Sequence, residues 1–269
     1  MTRRAGGAQA GFTLVELIVV AVLGALLVMA TFQVLVTNQR TYTAHGARIQ
    51  GSQALRGALD VLSGELREIS PAGGDLVAMD DDTLQLRAMR AFGVVCHDSI
   101  RGSMGWRALR VGDWIAGGDS VLVFADNDGG DASDDAWIVT RVSSSDTSSS
   151  CSGTPAQLLR FPNSAPFAAD SVSSGAQVRA FTHVRYGLIP YDGKHYVGRQ
   201  IPGGSWTPVV GPIRARGLSF AYLDEDGVAT TTATDVRQIR ITVRTGSDVL
   251  DSTGQPIRDS VSTVIHTRN

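Results

Sequence analysis

The sequence predicts an α+β fold: a long N-terminal helix whose second half packs on a mainly antiparallel β-sheet. Three observations predict it. An apolar stretch fills residues 17–36, a helical stripe follows at Leu55, Leu59, Leu62, Leu66 and Ile69, and from residue 76 onward the apolar period changes to two. With 269 residues, 43% of them hydrophobic and 19% charged, the chain is long enough to bury a sizeable core. A formal net charge of -2 and 30 Gly argue against a disordered, collagen-like or strongly nucleic-acid-binding chain. All basic residues except Lys194 are arginine, and no basic stripe runs along the sequence.

The first element is the apolar helix. Residues 1–11 are short and basic through Arg3 and Arg4, and after Glu16 no charge appears until Arg40. The stretch from Leu17 to Val36 spans about 30 Å as a helix, enough to cross a hydrocarbon core. An ordinary signal peptide places its small-residue cleavage site after the apolar stretch, whereas here the small residues precede it. Cleavage at Gly11 would remove the basic leader and leave the hydrophobic helix on the mature chain.

The residues Gly11-Phe12-Thr13-Leu14-Val15-Glu16-Leu17 resemble the N-terminal motif of type IV prepilins and type II secretion pseudopilins. The resemblance implies cleavage between Gly11 and Phe12 by a prepilin peptidase, N-methylation of Phe12, and assembly with other pilin or pseudopilin subunits. It also implies that Glu16 meets the N-terminal amine of a neighbouring subunit during assembly. An acidic residue at the centre of an apolar helix costs about 2.5 kcal/mol or more, so a plain anchor would not need one.

The helical pattern then continues to Ile69, where Pro71 and Gly73-Gly74 end it. A helix from Phe12 to Ile69 would be about 87 Å long. Gly24, Gly46, Gly51, Gly57 and Gly64 lie inside it. They allow either local bending or melting between residues 40 and 57, or close packing against a neighbour. The expected organisation is a leader (1–11), a transmembrane and filament-core helix (12–40), an amphipathic helix half (41–75) and a β-rich domain (76–269).

In that domain Leu84-Gln85-Leu86-Arg87, Val121 to Phe124, Trp137 to Val139 and Gln177 to Gly187 read as strands. The clearest is Val236 to Arg244, with Ile239, Ile241 and Val243 on one face and Arg240, Thr242 and Arg244 on the other. Turn signals stand at Asp192-Gly193, Pro202-Gly203-Gly204 and Asp226-Gly227. The serine-rich stretch 143–150 reads as a flexible loop between strands, or as a boundary between two β-rich lobes. Tyr186-Gly187-Leu188, the run from Gly217 to Gly227 and Asp235 to Ile241 are similar in order to the larger minor pilins of the PilW kind and the J-type minor pseudopilins. That likeness implies a minor subunit at or near the filament tip that primes assembly.

Cys96 and Cys151 lie in the part expected outside the cytoplasm, where they form either a disulfide or two buried thiols. The acidic stretch 126–135 offers Asp126, Asp128 and Asp131 as calcium candidates, yet its spacing fails the EF-hand pattern, so a solvated acidic turn is the simpler reading and no cofactor is expected. Trp106, Trp114 and Trp206 read as a binding surface or as core. Enzyme signatures are absent: there is no G-x-S-x-G, P-loop, H-E-x-x-H or C-x-x-C, and the five histidines are scattered. Removing the leader takes the net charge to -4, so the nucleic-acid signal is not strong, and Arg237, Arg240 and Arg244 read first as a solvated strand face. The expected function is that of a type IV minor pilin, a single-pass inner-membrane protein with its globular domain extracytoplasmic before assembly into a filament. The alternatives are a J-type subunit of a type II secretion pseudopilus, or a membrane-tethered adhesin or DNA-binding module mounted on a pilin helix.

Overall fold

The computed structural model describes residues 13–97, 104–126, 135–164 and 171–268, the side chain of His97 excepted. The chain divides into two compact units, one made of residues up to Gln50 with Ser247–Ile257, the other of Gly51–Gly246 with the residues from Arg258 onward. Helix α1, Leu14–Glu68, contributes to both and is α-helical for all 55 residues, including Gly46, Gly51, Gly57 and Gly64. No melting between residues 40 and 57 is seen. The glycines divide by surroundings: a Cβ at Gly51 would stand 3.1 Å from Thr245 Oγ1 and one at Gly57 3.3 Å from Val210 Cγ1, while Gly24, Gly46 and Gly64 face open space. Close packing therefore explains Gly51 and Gly57.

In the first unit the helix exposes nearly everything it has. Leu14 is 76% exposed, Phe32 63% and Leu35 55%, and no other described segment buries that stretch. Its hydroxyls turn inward to their own backbone: Thr31 Oγ1 donates to the Leu27 and Val28 carbonyls at 3.0 and 2.9 Å, and Thr41 to Thr37 at 2.9 Å. Lower on the helix Ala44 is buried, and Arg48 Nη2 lies 4.0 Å from Asp251 Oδ2 in the turn of residues 251–255. That turn is organised by the Asp251 carboxylate, which accepts hydrogen bonds from Thr253 Oγ1 at 2.6 Å, Thr253 N at 2.8 Å and Gln255 N at 3.0 Å. The Thr253 hydroxyl and the two amides, with Arg48 beside them, hold the carboxyl below the usual aspartate range.

The second unit is built on one large sheet and one small one. Its strands are β1 (Leu76–Met79), β2 (Thr83–His97), β3 (Gly105–Gly112), β4 (Ser120–Ala125), β5 (Ala136–Arg141), β6 (Ser144–Cys151), β7 (Thr154–Arg160), β8 (Gln177–Tyr191), β9 (Lys194–Gln200), β10 (Thr207–Ile213), β11 (Leu218–Leu223), β12 (Gln238–Leu250) and β13 (Pro256–His266), the last two also reaching into the first unit. The large sheet runs β10-β9-β8-β2-β3-β7-β6, with β1 on β2, β4 on β8 and β5 on β4. Its spine is the antiparallel pair β2 and β8, 15 residues each, paired from Thr83 opposite Gly187 to Val94 opposite Gln177 with a one-residue shift between Met89 and Ala91. The small sheet runs β11-β12-β13.

The residues of the helical stripe lie where the spacing puts them. Leu55, Leu62, Leu66 and Ile69 are at most 2% exposed and Leu59 is half-buried; Ala54 and Ala58 widen the stripe. They share one core with Leu84, Leu86 and Tyr186 of the large sheet and with Phe220, Ile239 and Ile241 of the small one. Helix and sheet also meet at a polar clasp. The Tyr186 hydroxyl donates to Glu65 Oε1 at 3.1 Å, and Arg90 Nη2 lies 3.5 Å from the same oxygen. Burial first, then the Glu65 carboxylate, pushes the tyrosine up to about 12. A second core, with Trp106, Val121, Val123, Leu159, Phe161 and Val178, fills the other end of the large sheet.

The expectation of a flexible loop at 143–150 is corrected: Ser144–Cys151 is β6, an edge strand. It pairs with β7 from Ser144 opposite Arg160 to Cys151 opposite Thr154, with an irregularity between Asp146 and Ser149. An edge position needs just one ladder, and it leaves Ser144, Ser148 and Ser150 exposed. The reading of this stretch as a boundary between lobes falls with it, since both flanks belong to the same unit.

Candidate functional site

The start of α1 is the candidate site. Thr13 precedes the first helical residue, and its carbonyl accepts the first helical hydrogen bond from Leu17 N at 3.2 Å. Glu16 N donates to Thr13 Oγ1 at 3.3 Å, while Glu16 Oε2 accepts from Thr13 Oγ1 at 3.4 Å and Thr13 N at 3.5 Å. This reciprocal arrangement is a capping box, which satisfies amide donors the first helical turn cannot. The carboxylate also stands at the positive end of the helix dipole. Glu16 therefore has a local task in the single chain, turned back on its own helix terminus. Its signal in the sequence is Thr-x-x-Glu ahead of an apolar run.

Directly after Glu16 comes the apolar surface. Among the described residues α1 is the one helix long and apolar enough to cross a membrane, and none of its most apolar window is buried within the chain. A terminal cap followed by an unburied apolar rod is suited to an environment supplied from outside, by lipid or by the same surface on other subunits.

Residues 7–32 match the family model described as the prokaryotic N-terminal methylation motif. That match takes in Gly11, Phe12, Thr13 and Glu16 and supports a type IV pilin or pseudopilin type of protein. No curated protein and no solved structure was found to match the chain. Gly11 and Phe12 themselves lie outside the described residues.

The remaining candidates are dispersed over the second unit. Cys96 and Cys151 are joined, with Cα atoms 6.1 Å apart, so the bond fastens the end of β6 to the end of β2. Asp126, just past β4, donates its amide to the Ser171 carbonyl at 2.8 Å, whereas Asp128 and Asp131 lie outside the described residues. Among the described residues no three His, Cys, Asp or Glu side chains gather as a metal ion would require. The tryptophans separate as well: Trp106 is core, packed 4.9 Å from Phe161, Trp114 is 38% exposed beneath the Arg110 guanidinium, and Trp206 lines an open groove of about 430 Å³ with Thr83, Ile189 and Tyr191.

Two buried polar contacts had no sequence signal. Asp75, 1% exposed, accepts a hydrogen bond from Ser70 N at 2.9 Å and lies 3.4 Å from Arg179 Nη2, holding the end of α1 to β8. Tyr222 donates to the Asp80 carbonyl at 3.0 Å, and burial, then the Asp80 charge, raises its pKa well above the ordinary tyrosine value. The first fastens the end of α1 to the large sheet, the second the small sheet to the turn between β1 and β2.

Proposed function

We propose that the chain is made as a prepilin-type precursor, cut between Gly11 and Phe12 by a prepilin peptidase, N-methylated on Phe12 and packed through the first half of α1 into a filament. The single observation that carries this reading is the methylation motif at residues 7–32 running into an apolar helix whose most apolar window is left unburied by the described residues. Before assembly that stretch resides in the inner membrane with the β-rich unit outside the cytoplasm. On assembly it exchanges lipid for the same stretch of other subunits, and Glu16 leaves its Thr13 cap to meet a neighbour's terminal amine. The capping box supports that exchange by giving the carboxylate a hydrogen-bonded alternative while it waits.

Within the family we propose a minor subunit of a type IV pilus near the filament tip, with a structural role and no catalysis. The size of the β-rich unit and the PilW-like order of residues 184–245 favour that role. A J-type pseudopilus subunit is the nearest alternative. Expressing the precursor with and without its prepilin peptidase, and reading the mature N-terminus by mass spectrometry for wild type and Gly11→Ala, tests the core of the proposal. Cleavage after Gly11 that needs both enzyme and glycine is the expected result; an uncut chain, or a cut beyond the apolar stretch, would overturn it.

A further inference from the structure

Among the described residues the outermost strands are β1, β5, β6 and β10 of the large sheet and β11 and β13 of the small one, and they are guarded unequally. β1 is short with a register shift, β6 is irregular between Asp146 and Ser149, and β10 carries Pro208 and Pro212. The free side of β11 is met where Phe220 N donates to the Asp81 carbonyl at 2.7 Å, and β13 carries the exposed charges of Arg258 and Asp259. Bulges, prolines, cover and charges are the devices that keep an edge from pairing. β5 is the exception. Ala136–Arg141 follows β4 in unbroken register, holds no proline and has no charge before its last residue.

The β4 ladder decides which groups of β5 face the open side. Val142 N donates to the Asp119 carbonyl at 2.9 Å, one step beyond the pairing of Arg141 with Ser120. By alternation Thr140, Ile138 and Ala136 also bond β4, so Trp137 and Val139 turn their N–H and C=O groups outward. Among the described residues neither makes a backbone hydrogen bond on that side. Their side chains share one face of the sheet, opposite Phe124 and Leu122 of β4. Val139 is 44% exposed, and the Trp137 ring is steadied by Phe124, centroids 5.5 Å apart, and by the Arg179 guanidinium at 5.4 Å.

We propose that this edge pairs with the same edge of a second copy of the chain, antiparallel about a two-fold axis at Ile138. Unpaired backbone groups among β-branched and aromatic residues call for an extended strand, and the charges select which one. With Ile138 on the axis, Trp137 of one copy stands opposite Val139 of the other, an aromatic on a β-branched residue, and Asp135 stands opposite Arg141. Two-fold symmetry repeats each contact, so both ends of the pairing join opposite charges. Trp137 and Val139 exchange the ladder bonds, while Ile138 meets its counterpart as a non-hydrogen-bonded pair with Cα atoms about 4.5 Å apart. Six residues a side make a small interface, so the pairing belongs to the weak, concentration-dependent class. It goes beyond the proposed filament role and does not rest on it.

The test follows the full mature chain in a neutral detergent by sedimentation velocity, from about 5 to about 500 μM, the range a weak interface requires. A monomer in equilibrium with a dimer is expected. Val139→Pro deletes an outward N–H and leaves the β4 ladder intact, so it should raise the dimer Kd at least about tenfold with little change in Tm. Val139→Lys serves if proline disturbs the fold. Arg141→Asp and Asp135→Arg should each weaken the dimer alone, by setting like charges opposite, and a mixture of the two variants should associate again. Ile138→Cys should oxidise to a disulfide between copies, while Ala136→Cys and Thr140→Cys, each facing the other position, should not. A dimer held by α1 would be indifferent to all of these changes. The proposal would be overturned by a dimer that Val139→Pro and Val139→Lys leave unchanged or by charge variants that do not associate on mixing. A chain that stays monomeric would overturn it too, whether or not an unrelated peptide of alternating valine and threonine adds to its edge.

Discussion

Truncating leucine to alanine at two places on the same helix separates the two jobs that α1 performs. Leu62 has no exposure and sits in the core shared by both sheets; Leu35 is 55% exposed in the apolar half. Removing three carbons from a buried leucine forfeits about 2.4 kcal/mol of transfer free energy, and the cavity left behind brings the total for Leu62→Ala to about 3 kcal/mol. That is a factor of roughly 150 in the folding equilibrium, and in a domain of this size a fall of about 6–12 °C in Tm. Leu35→Ala should cost the β-rich unit less than about 0.5 kcal/mol, because Leu35 is exposed and lies outside the core that holds that unit. Thermal unfolding of the full chain in neutral detergent, followed by near-ultraviolet circular dichroism and tryptophan fluorescence, reports the tertiary packing while helix held by the micelle stays silent. A loss below 1 kcal/mol for Leu62→Ala, or equal losses at both sites, would refute the division of the helix into a lipid-facing half and a core-facing half.

Three other outcomes are expected. Thr13→Val removes the hydroxyl half of the capping box and should cost the first helical turn about 1 kcal/mol, seen as faster amide exchange at residues 14–17 in detergent with no change around Leu62. Reducing the Cys96 to Cys151 bridge, 55 residues apart in sequence, should destabilise the second unit by up to about 4 kcal/mol, measured as the Tm difference with and without reductant against a Cys96→Ser and Cys151→Ser control. The Asp251 carboxyl titrates below its ordinary 3.8, so its contribution is fully present above that value and is lost as pH falls through the lower folded value. Amide exchange at Thr253 and Gln255 should therefore quicken in acid ahead of the core, and Asp251→Asn should remove that acid step.

The helix was readable because both its halves are periodic in one dimension: an apolar run long enough for lipid, then a four-three stripe that only a helix places on one side. The strands at 84–87, 121–124, 137–139, 177–187 and 236–244 were readable for the same reason, since alternation is a local property. What escaped was masked by composition or set by partners distant in sequence. Ser144–Cys151 is too polar to show an apolar alternation, and it becomes a strand because β7 folds straight back on it through the Ser152-Gly153 turn, both residues at positive φ. Asp75 and Arg179, 104 residues apart, meet only when β8 passes the end of α1. The glycines were ambiguous because bending and close packing require the same residue, and only the presence of Thr245 and Val210 separates Gly51 and Gly57 from Gly46. At the candidate site the pattern of Gly11, Phe12 and Glu16 was plain in the sequence, while the hydrogen bonding of Glu16 to Thr13 needed coordinates.

The order in which the chain is synthesised gives one structural detail a temporal meaning. Ile265 completes the core beneath Leu62 and Ile69, and the amide of Arg268 bonds the Ile69 carbonyl at 3.0 Å. The inner stripe of the helix thus waits for residues almost 200 positions downstream, about ten seconds or more at ordinary elongation rates. Among the described residues no later segment buries the most apolar window of α1. On the proposed reading, a ribosome therefore presents lipid-seeking and core-seeking leucines in quick succession and resolves them on different clocks: one by prompt insertion, the other by holding an unfinished domain until β13 arrives.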